Sequence, residues 1–199
     1  MIKTLFLKRK LVETARKCYH SRLQTGTGGN FSARLGTGAM LVKTSGNSFG
    51  DCSSKEIIVT DFSGGILKGK GNPSREVKLH GYLYSNFPGI HAVIHCHSPW
   101  AISWSLTKQD LPMVTKHFRL KIGEPLKNFD IDEPVVPEDR FDEIGKYLTE
   151  HKAEGFLLAG HGLVALGKNV EEALYLAELI EETAKICILN RLIEGGDAG

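Results

Sequence analysis

The chain has 199 residues, of which 41% are hydrophobic and 24% are charged, a composition typical of a globular domain and not of a disordered chain. Its 25 basic and 23 acidic residues are dispersed and give a net charge of +2, which argues against a nucleic-acid-binding surface. No apolar run approaches the roughly 18 residues that span a bilayer, and no secretory signal pattern begins the sequence. We therefore expect one cytoplasmic domain over residues 1–199, with neither a nucleic acid nor a membrane as partner.

The first half of the chain alternates helical and strand patterns. Apolar spacing predicts a helix over Leu5–Leu23, which ends at the glycine-rich segment QTGTGGN. Short strands are then predicted in FSARL, AMLVKTS, EIIVTD and GILKGK. The last two enclose FSGG, a hairpin signal. Helical spacing returns over Arg75–Ser85 and is ended by FPGI.

The second half continues this alternation. AVIHC predicts a buried strand and WAISWSL a short helix, and Leu120–Phe129 contains further strand candidates. Glu138–His151 has the pattern of an amphipathic helix, Gly155–Gly167 that of two strands around a histidine, and Val170–Ile193 that of a long closing helix. The expected fold class is a mixed α/β layer structure.

Three histidines fall within seven residues in the segment GIHAVIHCHSPW. Because side chains alternate faces along a strand, His95 and His97 point to one side and Cys96 points to the other. Such a pair can converge on Zn²⁺ or a neighbouring first-row metal. The motif is short, however, and two polar residues on a half-exposed strand explain it equally well.

Further ligand candidates strengthen the metal hypothesis. His161 lies between two glycines inside an apolar stretch, where an imidazole is an unusual packing residue. Glu76 stands where GNPSRE enters a helix, and a carboxylate near a cation can also transfer protons. His91 is expected to be exposed at the start of its strand, and His80 to be a structural or surface residue. The four cysteines are widely separated and form no CxxC pair, which argues against a thiolate zinc site or a disulfide framework.

Three small-residue segments have the backbone N–H groups and hydroxyls that suit an anion: Thr25–Asn30, Thr44–Ser48 and Gly71–Glu76. Each is a weak signal alone. Neither the dinucleotide fingerprint nor the Walker pattern is present, because no GKS or GKT occurs and GTGGN leads into a strand.

Taken in order, TGTGGNFSARL, TSGNSFGD, NPSREVKLHGYLYSNFPGIHAVIHCHSPWA and LLAGHGLVALGKNVEEALYLAELIEETAK resemble the class II aldolase/adducin family. The resemblance covers nearly the whole chain. It implies a three-layer α/β fold with a central, mostly antiparallel sheet flanked by helices. It also implies a homotetramer with active sites at the interfaces between subunits.

The resemblance assigns roles to particular residues. A divalent metal, usually zinc and alternatively Mn²⁺ or Co²⁺, would be bound by Glu76, His95, His97 and His161. A substrate phosphate would be bound by Gly29, Asn30, Ser45, Gly46 and Ser74. Arg75 stands where many members have a small hydroxyl residue, and it either supplements phosphate binding by its charge or alters the ligand.

The implied reaction is zinc-dependent cleavage of a ketose 1-phosphate, of the L-fuculose 1-phosphate type, to dihydroxyacetone phosphate and an aldehyde. The metal would polarise the carbonyl, and Glu76 would accept and return the proton. Aldolases of this group use a tyrosine of the neighbouring subunit as the acid, but the corresponding segment here is VTKHFRLKIG. Lys116 or His117 would have to take that role, and we assign it to His117.

Other reactions on the same scaffold remain open. They are dehydration of methylthioribulose 1-phosphate, decarboxylation of a sugar-acid phosphate, and ribulose-5-phosphate 4-epimerisation. The epimerase is disfavoured because its aspartate position falls near Leu120. A noncatalytic adducin-like assembly module need not keep metal ligands, whereas this chain keeps all four candidates. A zinc hydrolase is disfavoured because no H-E-x-x-H occurs.

Overall fold

A computed structural model describes residues 2–196. Its eight strands are β1 (Asn30–Arg34), β2 (Ala39–Lys43), β3 (Ile57–Asp61), β4 (Ile66–Lys68), β5 (Ala92–Cys96), β6 (Asn128–Phe129), β7 (Gly155–Leu158) and β8 (Gly162–Gly167). The helices are α1 (Ile2–His20), α2 (Val77–Asn86), α3 (Pro99–Ser105), α4 (Lys116–Ile122), α5 (Phe141–His151) and α6 (Val170–Gly196), and a 3₁₀ turn spans Glu138–Arg140.

All eight strands form one sheet in the order β4-β3-β2-β1-β5-β8-β7-β6. Only β6 and β7 pair in parallel, and every other neighbouring pair is antiparallel. Alternation of side chains divides the buried residues between the two faces of the sheet. Ile94 packs with Leu11 of α1 and Ile180 of α6 on one face, whereas Val93 packs with Leu83 of α2 and Ile144 of α5 on the other. These three layers confirm the predicted fold class.

The segment after α3 differs from the strand prediction for Leu120–Phe129. The structure has helix α4 there, and only Asn128–Phe129 pairs as a strand. Thr115 caps this helix, because its side chain accepts a hydrogen bond from the Phe118 backbone N–H. Phe118 is buried while Leu120 is 89% exposed, so the apolar Leu120 does not belong to a sheet.

The first helix also ends earlier than predicted. It ends at His20 rather than at Leu23, and Arg22 then adopts a left-handed backbone with φ of 63°. This turn directs the chain into the glycine-rich loop before β1. Within residues 2–196, no helix combines the length and apolar character needed to cross a membrane.

Candidate metal centre and phosphate pocket

Three imidazoles meet at one end of the sheet. His95 lies on β5, His97 follows that strand, and His161 lies between β7 and β8. The Nε2 atom of His95 is 3.0 Å from Nε2 of His97 and 3.4 Å from Nε2 of His161. Tetrahedral zinc with Zn–N distances of about 2.0–2.1 Å would separate its nitrogen ligands by about 3.3 Å. The spacing of these nitrogens therefore fits one divalent metal.

Hydrogen bonds orient the rings for such binding. The carbonyl of Leu163 lies 2.9 Å from His95 Nδ1 and accepts a hydrogen bond from the Nδ1–H group, so Nε2 keeps its lone pair. The backbone N–H of His97 donates to Oε1 of Gln24 at 2.7 Å. Gly28 packs on the His97 ring, and a Cβ at this position would lie 2.6 Å from His97 Nδ1. Gln24 and Gly28 thus support a ligand from a neighbouring loop.

Burial keeps these imidazoles neutral in the metal-free chain. Loss of hydration, with smaller contributions from the neighbouring histidines, holds the pKa of His95 well below its usual value. Burial is also the main reason that the pKa of His97 falls to about 4 and that the pKa of His161 is lowered. Neutral imidazole is the form that binds a metal.

Glu76 brings a carboxylate to the same cavity, although it stands outside the 4.8 Å cluster that holds the three imidazoles. Its side chain is buried, and Oε1 accepts a hydrogen bond from the Val136 backbone N–H at 3.2 Å. Oε2 is buried and has no hydrogen-bond partner among the described residues. Burial raises the pKa of Glu76 to about 7. An oxygen in this state fits a metal ligand or a group that exchanges a proton.

A cavity of about 270 Å³ joins the histidines to the three loops. Its wall contains every residue predicted for metal or phosphate binding: Gly29, Asn30, Ser45, Gly46, Ser74, Arg75, Glu76, His95, His97 and His161. The second and third loops are fastened to each other, because the Ser45 N–H donates to the Asn72 carbonyl and the Ser45 hydroxyl donates to the Pro73 carbonyl, each at 2.9 Å.

Sequence reasoning missed Lys43, which lines the same cavity. Its side chain is buried, lies over the Phe49 ring and donates to the Thr44 carbonyl at 3.1 Å. Burial lowers its pKa. The sequence did contain a signal for this residue, because a lysine ends the apolar strand AMLVK. A charged side chain buried there is costly without a partner. A substrate anion in the cavity would supply that partner.

Arg75 is an exposed cation at the edge of this cavity. After burial, its charge adds to the lowering of the pKa of His97 and His161, and it partly offsets the rise that burial causes in the pKa of Glu76. No salt bridge within 4.0 Å involves Arg75 in the described part of the chain. Its charge is therefore available to an anionic ligand.

A second cavity of about 510 Å³ shares Arg75, His97, Pro134 and His161 with the first. Its further wall comes from the end of α3, the turn before β8 and the acidic segment 130–133. The centre thus has space on two sides, one beside the glycine-rich loops and one beside the acidic segment.

His117 and Lys116 do not join this centre within one chain. Both are exposed on α4, and neither lines the two cavities. His91 is exposed and also lies outside both cavities, whereas Cys96 packs in the core on the opposite face of the sheet, as predicted.

Residues 9–188 match the family described as the class II aldolase and adducin N-terminal domain. The chain belongs to the class II aldolase and adducin family. This membership confirms the resemblance found in the sequence, and it covers nearly all of the chain.

Relatives in the class II aldolase and adducin family carry three kinds of name. The chain is 29% identical over 188 residues to an L-fuculose phosphate aldolase of Methanococcus maripaludis, covering 92% of this chain and 97% of the relative. It is 34% identical over 163 residues to a methylthioribulose-1-phosphate dehydratase of Methylococcus capsulatus, covering 78% and 79%. It is 31% identical over 186 residues to a 3-oxo-tetronate 4-phosphate decarboxylase of Escherichia coli, covering 92% and 86%.

Aldolases, dehydratases and decarboxylases of this kind are all lyases, so these family relatives confirm the predicted enzyme class. The fold agrees as well. A solved L-fuculose 1-phosphate aldolase superposes with a TM-score of 0.85 at 26% identity, covering 94% of this chain and 87% of that chain.

Proposed function

We propose that this chain is a metal-dependent aldolase that cleaves a ketose 1-phosphate, of the L-fuculose 1-phosphate type, to dihydroxyacetone phosphate and an aldehyde. The observation that carries the proposal is the cavity that combines three converging imidazoles, a carboxylate oxygen without a partner and three anion-binding loops. The functional unit would be the whole chain as a single domain, because one sheet connects all its strands.

His95, His97 and His161 would hold the metal, with Glu76 as the fourth ligand in the resting enzyme. Zinc is the proposed ion, since neutral imidazoles with a carboxylate suit it, and Mn²⁺ or Co²⁺ would fit the same donors. When bound, the ion would polarise the substrate carbonyl and offset the negative charge that develops as the carbon–carbon bond breaks.

The loops would bind the substrate phosphate. Gly29 and Gly46 would bring backbone N–H groups close to its oxygens, while Asn30 and Ser74 would donate from side chains. The Ser45 hydroxyl would donate as well, on turning from the Pro73 carbonyl to the phosphate. Lys43 and Arg75 would add two positive charges, which suits a phosphate dianion. This arrangement directs the reacting carbons toward the histidines.

Glu76 would exchange the proton at the carbon next to the carbonyl. A general acid–base group works best when its pKa lies near the working pH. Burial raises the pKa of Glu76 to about 7, so the carboxyl group can both accept and return a proton near neutrality.

The aldehyde half would occupy the second cavity, beyond the histidines. The group that protonates or deprotonates its hydroxyl would be His117 of a neighbouring copy, because His117 lies outside both cavities of its own chain. We therefore propose a homotetramer with composite active sites in the cytoplasm.

Dehydration or decarboxylation of a related sugar phosphate is the second candidate. Relatives with those names match the chain at 34% and 31% identity, compared with 29% for the aldolase of Methanococcus maripaludis. All three reactions begin by withdrawing electrons through a carbonyl beside a bound phosphate, so the centre itself supports each of them.

The decisive experiment is metal analysis of the purified protein followed by incubation with ketose 1-phosphates, methylthioribulose 1-phosphate and 3-oxo-tetronate 4-phosphate. Release of dihydroxyacetone phosphate from a ketose 1-phosphate, lost after chelation and restored by Zn²⁺, is the expected result. Faster water or carbon dioxide loss from either of the other substrates would replace the aldolase with that sister reaction. A protein that neither binds metal nor acts on any of these substrates would refute the whole proposal.

A further inference from the structure

A buried polar network joins strand β1 to helix α2 behind the metal centre. The Ser32 hydroxyl lies 2.6 Å from Nδ1 of His80 and 2.7 Å from the Tyr84 hydroxyl. These three residues are at most 1% exposed. Buried polar groups are costly unless they pair, so the pairing favours one relative placement of the strand and the helix.

Alternate residues of β1 form hydrogen bonds with different parts of α2 and the segment that follows it. Asn30, Ser32 and Arg34 share one face of the strand, and Asn30 lines the phosphate cavity. Ser32 binds the middle of α2 through His80 and Tyr84. The guanidinium of Arg34 donates to carbonyls at and beyond the C-terminal end of α2, those of Tyr84, Phe87 and Ile90. Strand β1 therefore fastens α2 at two separate points.

Helix α2 places Glu76 and the network on the same face. Glu76, His80 and Tyr84 follow one another at intervals of four residues, and Glu76 immediately precedes the first turn. The helix is also seated closely on the turn between β3 and β4, because a Cβ at Gly81 would overlap the carbonyl of Phe62. The position of α2 on the sheet consequently sets the position of Glu76.

The buried Glu76 side chain makes few hydrogen bonds. Its only side-chain hydrogen bond in the described part of the chain is the 3.2 Å contact with the Val136 N–H. As the residue that begins α2, it makes no capping hydrogen bond with its side chain. The placement of the helix therefore adds to this hydrogen bond in fixing where the carboxylate lies relative to the histidines.

Burial keeps the His80 ring of this network neutral. Burial lowers the pKa of His80 to about 3, and Nε2 of this ring has no partner among the described residues. The sequence placed His80 among structural or surface residues, and its role emerges only from these contacts.

We propose that Ser32, His80 and Tyr84 are positioning residues that seat α2 on β1 and thereby hold the Glu76 carboxylate at the three-histidine centre. This inference rests on the metal site of the proposed function. The three residues would contact neither the metal nor the substrate, but they would determine how well Glu76 binds the metal.

The test is a double-mutant cycle on metal affinity. Titration of the metal-free full chain with Co²⁺ gives a dissociation constant, and the visible absorption of bound Co²⁺ reports its coordination number. Ser32→Ala and Tyr84→Phe are each measured alone and together with Glu76→Gln. Thr60→Val is the control for loss of a buried hydroxyl outside the network, since the Thr60 hydroxyl has no hydrogen-bond partner among the described residues. Its neighbour Ile58 packs in the same core beneath α2.

We expect Ser32→Ala and Tyr84→Phe each to weaken Co²⁺ binding about 10-fold and to shift the absorption toward that of Glu76→Gln, as is usual for residues that orient a ligand. In the Glu76→Gln background the same two changes should alter affinity by less than about 2-fold, because they act through Glu76. Thr60→Val should stay within about 2-fold of wild type. Each affinity is measured well below the melting temperature of that variant.

Equal weakening in both backgrounds, weakening by Thr60→Val as large as by Ser32→Ala, or no weakening would overturn the positioning role. The cycle needs no substrate, so its outcome is separate from the proposed aldol reaction. Coupling without aldolase activity refutes only the reaction, and activity without coupling refutes only the positioning role. A wild-type chain that binds no Co²⁺ overturns both.

Discussion

The candidate metal centre is assembled within one chain, whereas helix α4 carries its candidate acid away from that centre. At the centre, His95 is buried, bonded through Nδ1 to a carbonyl and within 3.4 Å of two other imidazoles. On α4, His117 is exposed and has no side-chain hydrogen bond in the described part of the chain. One region is preorganised within the chain, and the other presents a side chain outward.

This contrast agrees with the proposal that metal binding and acid–base chemistry are divided between copies of the chain. A metal centre needs fixed geometry, which buried strands provide. An exposed acid on a short helix gains its working position only when another surface covers it. The following predictions test that division, beginning with the largest expected effect.

Replacing one of the three imidazoles should cause the largest loss of metal affinity. His161→Ala should weaken Zn²⁺ or Co²⁺ binding by at least about 100-fold, because it removes a direct ligand and leaves a buried centre incomplete. Equilibrium titration against a competing chelator measures this change. His91→Ala, which removes an exposed histidine just before β5, should leave the metal affinity at the wild-type value. Tight binding by His161→Ala would place the metal elsewhere.

Replacing the proposed acid should affect turnover but not the metal. His117→Ala should lower kcat about 100-fold, the usual contribution of one acid–base group, with metal affinity unchanged. Steady-state kinetics and metal titration together separate the two effects.

Lys116→Ala is the matched neighbour and should retain kcat within about 3-fold. A composite site gives a further check, since mixed oligomers of His117→Ala and His161→Ala should recover part of the activity that each variant lacks. No recovery, or a fully active isolated monomer, would assign His117 to its own chain or to no catalytic role.

Adding one methyl group beside the His97 ring should cause a smaller loss of metal affinity. Gly28→Ala should weaken metal binding about 10-fold, because the new Cβ would lie 2.6 Å from His97 Nδ1 and displace the ring. Gly38→Ala is the control, as a Cβ there would meet no atom within 4 Å and Gly38 has no positive φ. Titration of both variants distinguishes displacement of His97 from a general effect of losing glycine, which would weaken both.

Acid should destabilise the metal-free chain by a modest amount. His80, His95, His97 and His161 have pKa values below 6.5 in the fold, so the unfolded chain binds more protons and stability falls as pH drops below about 6.5. Glu76 opposes this, because its pKa of about 7 in the fold exceeds the unfolded value of 4.5.

The four imidazoles with lowered pKa values outnumber the one carboxyl group with a raised pKa, so the free energy of unfolding should fall by on the order of 2 kcal/mol for each pH unit between about pH 6.5 and 4.5. Urea unfolding of the metal-free protein at several pH values measures this slope. Stability that stays constant or rises toward acid would show that the imidazoles are charged in the fold.

Several features were predictable because they depend on local pattern. Alternation along AVIHCH placed His95 and His97 on one face and Cys96 on the other, as the structure shows. The glycine-flanked His161 and the loop residues followed from residue chemistry and from the order of the family motifs. The strand prediction at Leu120 was wrong because an apolar residue there is exposed on a capped helix, and local pattern does not distinguish exposure from burial.

The sequence by itself determined the α/β class and proposed four metal ligands and three anion-binding loops, because periodicity, residue chemistry and the order of the family motifs are read along the chain. Only the tertiary structure brought Lys43 into the cavity, placed Gln24 and Gly28 behind His97, and joined Ser32 to His80 and Tyr84. These contacts link residues far apart in the chain. They depend on which strands become neighbours and how closely α2 packs on the sheet, and no short stretch of sequence encodes either.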